Sequence, residues 1–578
     1  MPPKLRVKPL NARIEGDGPT LSKWRAAEYV LLTALAVAAL LRWVHLLEHI
    51  RSYYVDLPTW DYWRVVQNLA AYRAGNLRVF WLQHNEHRII LPEIVFALDM
   101  LWFQGRKILP TAVGFACYVG TLVVLASALA REKQLRTSLK WAAFLLASIT
   151  LGWMGSAVVL CDPFLLQWTI LHFLIASALT LLSVARHRSS RWLLMASILC
   201  AGAATYTSGN GMLLWPVLLA AGLLLRLPKS DILLIVLCAA VTIGVFFLGY
   251  RSMGHVSFTA FFAGFPYSLG FIASYLGMPF GLNRPPSFGI AAGCANMLLF
   301  VSLFWTALRK GQAAARPAIV LSGVFAFTLL SAVLASAGRM DPADRTFVRA
   351  NQARYVTMPL VNWAALILFS ISRGSRGART FWSAWRVPGV ICLALLLGFR
   401  HLSSWVQARD AEVADFQLAA LGVEAGVLDD AVLKKIFPDP AFVRLLLPEL
   451  RTGRLSIYSE EEASWLGKPL RALSSAFLPP QTASLRYELA LPSGSELAIS
   501  VGTVAEWLVL ADPQNVIVGL GRRLPAGIPF ALETPFKVQS KTKRPQAMFA
   551  FVNSKLPLRS LHVYLVRDGD HALTPLVD

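Results

Sequence analysis

The chain has no Cys-x-x-Cys pair and no Cys/His zinc spacing. Its six cysteines, Cys117, Cys161, Cys200, Cys238, Cys294 and Cys392, leave the last part of the sequence without any. A disulfide framework and a structural zinc site are therefore excluded as organising devices, and the cysteines read as small apolar fillers. No Gly-rich phosphate loop or dinucleotide fingerprint appears, so nothing points to a bound nucleotide. The first apolar run lacks a small-residue cleavage site and is expected to stay as a membrane helix. Tandem repeats and low-complexity segments are missing. Acidic residues are scarce, 33 Asp and Glu against 55 Lys and Arg, giving a net charge of +22.

What is present is apolar residue. Hydrophobic types make up 56% of the 578 residues, and mean hydropathy is +0.53. Many runs approach the roughly 20 residues that a helix needs to cross about 30 Å of hydrocarbon. The expectation is a polytopic α-helical membrane protein. The basic excess does not indicate a nucleic-acid partner, because much of it sits in short loops between apolar runs, as cytoplasmic loops do.

Those loops set an orientation. "KLRVKPLNAR" and "KWR" place the N-terminus in the cytoplasm, before a first span at 28–47. The stretch 48–107 is then an outer loop, with 89–104 lying along the surface. If 89–104 crossed instead, "REKQLR" (131–136) would fall outside, against the charge rule. Further spans are expected at 108–130, 140–158, 169–185, 192–207, 211–225, 232–250, 287–306, 317–337, 355–372 and 387–400, about eleven in all. Residues 1–400 thus form a membrane domain. Residues 401–481 read as a helical connector, and the alternating segments of 482–578 read as a small β-sandwich, both outside the cytoplasm.

Ionisable residues near the outer interface form three clusters. The first holds Asp56 and Asp61 in "VDLPTWDYW", where Asp61 occupies an N-cap-like position before "DYWRVVQNLAAYRAGN". The second is "QHNEHR" (83–88), with His84, Glu86, His87 and Arg88. Two His and a carboxylate suit a divalent metal, hydrogen bonds to a sugar or phosphate, or simple anchoring of a surface helix, and the spacing leaves these open. The third is "GRMDPADRTFVRANQARY" (338–355), with Arg339, Arg345, Arg349, Arg354 and Tyr355. Arginine forks match phosphate oxygens, although a solvated loop would look the same. Asp162 and Gln167, and the polar turn "TYTSGNG" (205–211), are weaker candidates; Asn210 and Gly211 there suit a plain turn. Trp507 and Tyr564 read as core rather than as a sugar platform.

This order of one span, a long outer loop with an early acid, a lying helix and further spans resembles the GT-C superfamily of glycosyltransferases. Those enzymes use polyprenyl-phosphate-linked sugars. Protein O-mannosyltransferases and lipid A aminoarabinose transferases are similar in layout. "TWDYWRVVQNL" matches the family's acidic helix start through Asp61. "HNEHRIILP" (84–92) resembles the motif opening the next lying helix, with His84, Glu86 and His87 at its polar positions and Arg88 and Ile89 where paired prolines stand. "ARYVTMP" (353–359) is similar to the Arg-bearing late span.

The resemblance implies an inverting transfer at the outer face of a bacterial inner membrane. A polyprenyl-phosphate sugar is the donor, and an envelope glycan, lipid or protein is the acceptor. Asp61 is implied as general base, with Glu86 beside it in the catalytic group. Arg354, with Arg345 or Arg349, is implied to meet the phosphate, and Asp56, His84, His87, Arg88 and Tyr355 to line the substrate. Two other classes, a lipid-linked glycan flippase and a non-catalytic glycan-binding scaffold, fit the same composition. The flippase predicts repeats and charged span midplanes, and the sequence has neither.

Overall fold

The structure is a computed structural model. It describes residues 19–577 apart from 131, 133–134, 253–257, 283–284, 312–314, 340–346, 348, 375–388, 390–402, 502–504, 524–545 and 568–570. The chain is mostly helical up to residue 473 and ends in a curled sheet.

Seven helices among the described residues are long and apolar enough to cross a membrane: Ala26–Ser52, Ile108–Ala130, Pro163–Arg188, Lys229–Phe246, Pro286–Arg309, Arg316–Arg339 and Ala353–Ser372. An eighth candidate is the pair Thr137–Leu151 and Met154–Cys161, bent by 53°. The bend falls where Gly152 and Trp153 leave helical geometry. The expected spans at 192–207 and 211–225 are shorter helices, Arg191–Thr205 and Gly209–Leu224. At about 1.5 Å per residue neither covers about 30 Å of hydrocarbon alone. The expected span at 387–400 lies outside the described residues but for Gly389 and its single helical position. Among the described residues seven of the expected spans, or eight with the bent pair, are thus helices long and apolar enough to cross.

The apolar excess divides by position. Ala353–Ser372 is wholly enclosed by other helices, whereas Ala26–Ser52 and Lys229–Phe246 leave most of their length uncovered. Tyr29, Leu40 and Val241 point outward from those two helices, as side chains facing lipid do. Phe265–Leu276 and Pro286–Arg309 approach backbone to backbone. A Cβ on Gly277 would lie 1.9 Å from the Gly289 carbonyl, and one on Gly293 would lie 1.8 Å from that of Ala273.

The first outer loop is helical where its sequence suggests, in two short helices, Trp63–Gln67 and Leu69–Arg73, that join through helical backbone at Asn68, with tighter turns at Trp60–Tyr62 and Leu77–Trp81. Buried Trp63, Val65, Val66 and Leu69 hold them to the core. Ile90–Trp102, the expected lying helix, has 13 residues and is too short to cross. Asp99 on this helix is fully buried and accepts from the backbone N–H groups of Lys107 (2.8 Å) and Leu109 (3.0 Å). It caps Ile108–Ala130 from a neighbouring element.

Residues 403–473 are helical, led by Ser403–Glu424 and Pro440–Thr452. Seven strands follow: β1 (Gln481–Ala490), β2 (Ser495–Val501), β3 (Trp507–Ala511), β4 (Ile517–Arg523), β5 (Gln546–Val552), β6 (His562–Val566) and β7 (Leu573–Val577). Their order is β1-β2-β5-β4-β3-β6-β7, closed by a short parallel pairing of Gln481 with Leu576. This corrects the expected β-sandwich. A sandwich needs two separate sheets, whereas here one sheet curls until its ends meet. Leu497, Leu508, Leu510, Met548 and Leu565 fill its inside. Trp507, Val509, Phe549 and Phe551, at the alternate positions, belong to the core shared with the helices, with Phe551 against Gly422. Trp507 also meets Trp465 at 6.0 Å, the core role expected for it.

Candidate functional site

The site is built where the first outer loop, the "HNEHR" turn and the start of Ala353–Ser372 converge. Trp60 has φ 48, a left-handed conformation that bulky residues rarely adopt. Contacts from the C-terminal region hold it there. Its N–H donates to the Ile436 carbonyl at 2.9 Å, and its ring meets Phe416 edge-on at 6.4 Å. Asp61 follows within the turn Trp60–Tyr62. The N-cap position belongs to Thr59, whose side chain makes no capping bond. The expectation that Asp61 is an N-cap is therefore replaced: its carboxylate is half-exposed and faces His84, with Nε2 3.6 Å from Oδ2. Hydrogen bonding to His84 is the main cause holding Asp61 below the usual carboxylate range, and Arg64 and Arg354 add to it.

"HNEHR" forms a tight reversal. His84 N–H donates to the His87 carbonyl at 2.8 Å, and His87 N–H returns a bond of 2.9 Å. Asn85 takes the left-handed position, φ 47, which Asn tolerates. His84 packs its ring on Phe164, with centroids 4.7 Å apart. His87 points elsewhere: its Nδ1 accepts the Gly209 N–H at 3.0 Å. Burial first, and then the neighbouring His84 and Arg339, push it down to about 4. It is neutral at pH 7, with its proton on Nε2. Glu86 accepts from the Tyr250 hydroxyl. Gln83 pairs with the backbone of Arg251 at 2.7 and 3.0 Å.

Arg88 has a different place from the phosphate-binding one expected. It is buried, and its three nitrogens donate to the carbonyls of Phe246 (2.8 Å), Trp81 and Leu248 (2.6 Å). Its guanidinium lies 4.5 Å from the Trp81 ring centroid. The side chain fastens the turn to the end of Lys229–Phe246 and has no free fork for a phosphate. Asp56 is likewise turned away from His84. It pairs with Arg106 at 3.3 Å in the junction with the C-terminal region, where Arg106 also reaches Glu460 at 3.6 Å.

Arg354 enters from the opposite side, in the turn Ala353–Tyr355. It donates to Gln352 Oε1 and lies 5.2 Å over the ring of Tyr355. Its Nε is buried and has no hydrogen-bond partner, and its charge reaches both Asp61 and His87. Tyr355 is buried between Trp168 (5.8 Å) and Tyr275 (5.6 Å), so it supports Arg354 rather than lining open space. Arg349 is exposed, and Arg345 lies outside the described residues. Of the weaker candidates, Asp162 caps Pro163–Leu165 through the Phe164 N–H, and Gly211 lies so close to the Ala204 carbonyl that no Cβ fits.

The sequence-based reading passed over Glu93 as a functional residue. It lines a cavity of about 310 Å³ with His84, Arg64, Asn68 and Phe164. Its one early signal was a carboxylate in an apolar run. Tyr250 carried no signal, and Gly209 only that of the polar turn "TYTSGNG", because their roles depend on partners more than a hundred residues away in sequence. Among the described residues no three His, Cys, Asp or Glu side chains gather as metal ligands. His84, Glu86 and His87 have separate partners instead.

The described chain therefore combines seven membrane-length apolar helices, a polar site on short turns at their ends and a C-terminal curled sheet. Compared with known protein families and with curated proteins, it matches none.

Proposed function

We propose that this chain is an inverting glycosyltransferase. It moves a sugar from a polyprenyl-phosphate carrier to an acceptor of the bacterial cell envelope, at the outer face of the inner membrane. The observation that carries the reading is the placement of a half-exposed carboxylate, Asp61, beside His84 and within the field of Arg354, whose Nε is unpaired. A base within the field of a cation from a separate element suits a displacement at a carbon bound to phosphate.

In the proposed step the acceptor hydroxyl oxygen attacks the anomeric carbon. Its proton passes to Asp61 as the new C–O bond forms. The bond from that carbon to the carrier phosphate breaks, and its electron pair stays on the phosphate oxygen. Arg354 stabilises the growing negative charge in a partly dry site, and Arg349 adds long-range attraction for the anion. His84 orients Asp61, while Glu86 and His87 keep the turn that carries His84 in place.

The test is release of polyprenyl phosphate by reconstituted full-length protein, supplied with a panel of polyprenyl-phosphate sugars. Asp61→Asn is expected to lower release by about 10²–10⁴-fold with an unchanged melting temperature. Near-normal turnover in Asp61→Asn would overturn the assignment of the base. No release by wild type from any donor, with lipid-linked glycan still crossing the bilayer, would favour the flippase.

A further inference from the structure

Glu93 and its cavity have no part in that scheme, yet they adjoin it through His84. The imidazole lines the cavity and also approaches Asp61. At about 310 Å³ the space is at the lower end of small-ligand pockets, roughly 300–1,000 Å³. Its walls are mixed. Phe80, Phe164 and Val79 are apolar, whereas Asn68, His84 and Glu93 are polar.

Glu93 is buried at 7% exposure. Its Oε1 accepts both from Asn68 Nδ2, at 2.7 Å, and from the Tyr72 hydroxyl, which leaves Oε2 for the cavity. Burial is the main cause raising its pKa above the usual carboxyl range.

These walls discriminate between ligand classes. A lipid tail would strand the Glu93 carboxyl and the Asn68 amide without partners. A phosphate would meet one cation, Arg64 at the rim, and a carboxyl group at the wall. A polyol ring satisfies both kinds of surface: its hydroxyls pair with carboxyl and amide, and its C–H face lies on the phenyl rings. We infer that this cavity is the acceptor site, and that it holds one sugar ring with a hydroxyl directed past His84 toward Asp61. The inference rests on the transferase reading and narrows it, because the acceptor becomes a glycan rather than a protein or a lipid. It also gives the two substrates opposite entries, the glycan from the first loop and the carrier phosphate from the Arg354 side.

The experiment is saturation-transfer NMR on the full-length protein in detergent, with free glucose, galactose, mannose and glucuronate as probes. Polyprenyl phosphate release is measured on the same preparations. A signal from at least one sugar is expected in wild type and in Asp61→Asn. Leu82→Trp, which fills the cavity mouth from a position 59% exposed, is expected to abolish it. Glu93→Gln, which keeps the side chain's shape, is expected to weaken binding by about tenfold and gives a reading independent of Leu82→Trp. The cavity assignment is overturned if no sugar gives a signal, or if Leu82→Trp and Glu93→Gln both bind as wild type does. Carrier release without sugar binding sinks the cavity and spares the transferase. Sugar binding that depends on Glu93 and Leu82, without release from any donor, does the reverse.

Discussion

At Gly209 a hydrogen atom stands where any other residue would place a carbon. A Cβ there would lie 2.8 Å from His87 Nδ1 and 3.0 Å from the Glu86 carbonyl. Gly209→Ala must therefore push the "HNEHR" turn away or break the bond that its own N–H gives to His87. The expected cost is about 1–3 kcal/mol of stability, read as a lower melting temperature in detergent, together with a loss of carrier release. An unchanged melting temperature and full turnover would show that the turn adapts. Asp61 and His84 were legible in the sequence because charge is costly in so apolar a chain, and its position is informative for that reason. Trp60 was not. Local propensity assigns left-handed backbone to Gly or Asn, and only the Ile436 carbonyl and Phe416, far along the chain, hold a tryptophan there.

Elements in this protein are fastened to one another by single buried polar residues. Asp99 belongs to Ile90–Trp102 but caps Ile108–Ala130, and the chain between them reverses through Gln104, Gly105 and Lys107, all at positive φ. Asp99→Ala leaves the Lys107 and Leu109 N–H groups without their acceptor. It is expected to lower stability by about 1–3 kcal/mol, with Asp99→Asn retaining part of the loss; equal melting temperatures for wild type and alanine variant would refute the cap. At this scale the sequence showed which segments are apolar and which alternate. It did not show how they end. "DYWRVVQNLAAYRAGN" has helical composition and is helical, but nothing local shows that it divides at Asn68, with Tyr62, Trp63 and Leu69 each drawn fully into the core. The strands of 482–578 follow from their period, but whether they stack or close depends on β1 meeting β7 across the whole segment.

On the scale of the whole molecule, the membrane part and the C-terminal region share a charged junction. Around a cavity of about 70 Å³ lie Asp56 from the first loop, Glu424 from Ser403–Glu424, Glu460, and Arg522 from β4. Arg106 bridges Asp56 to Glu460. Burial, followed by the charge of Glu460, pushes the Glu424 carboxyl up to about 8, against the pull of Arg522; Glu462 and Asp56 also raise it. Asp56 and Glu460 are raised as well, chiefly by burial. At Glu424 the folded state thus holds a proton that the unfolded chain releases near the ordinary carboxyl value of about 4.3. Stability from this group is full below that value and is lost as pH rises toward about 8. Glu424→Gln is expected to melt above wild type by a margin that widens from pH 5 to pH 8. Parallel melting curves for the two proteins across that range would refute the junction's proton linkage.

The Trp60–Ile436 bond has a consequence for biosynthesis. A ribosome delivers residue 60 long before residue 436, so the turn bearing Asp61 is made early and completed late. Until the connector arrives, Trp60 lacks its bond to Ile436 and its ring contact with Phe416. In a nascent chain the turn bearing Asp61 therefore gains this bond only after the connector has emerged.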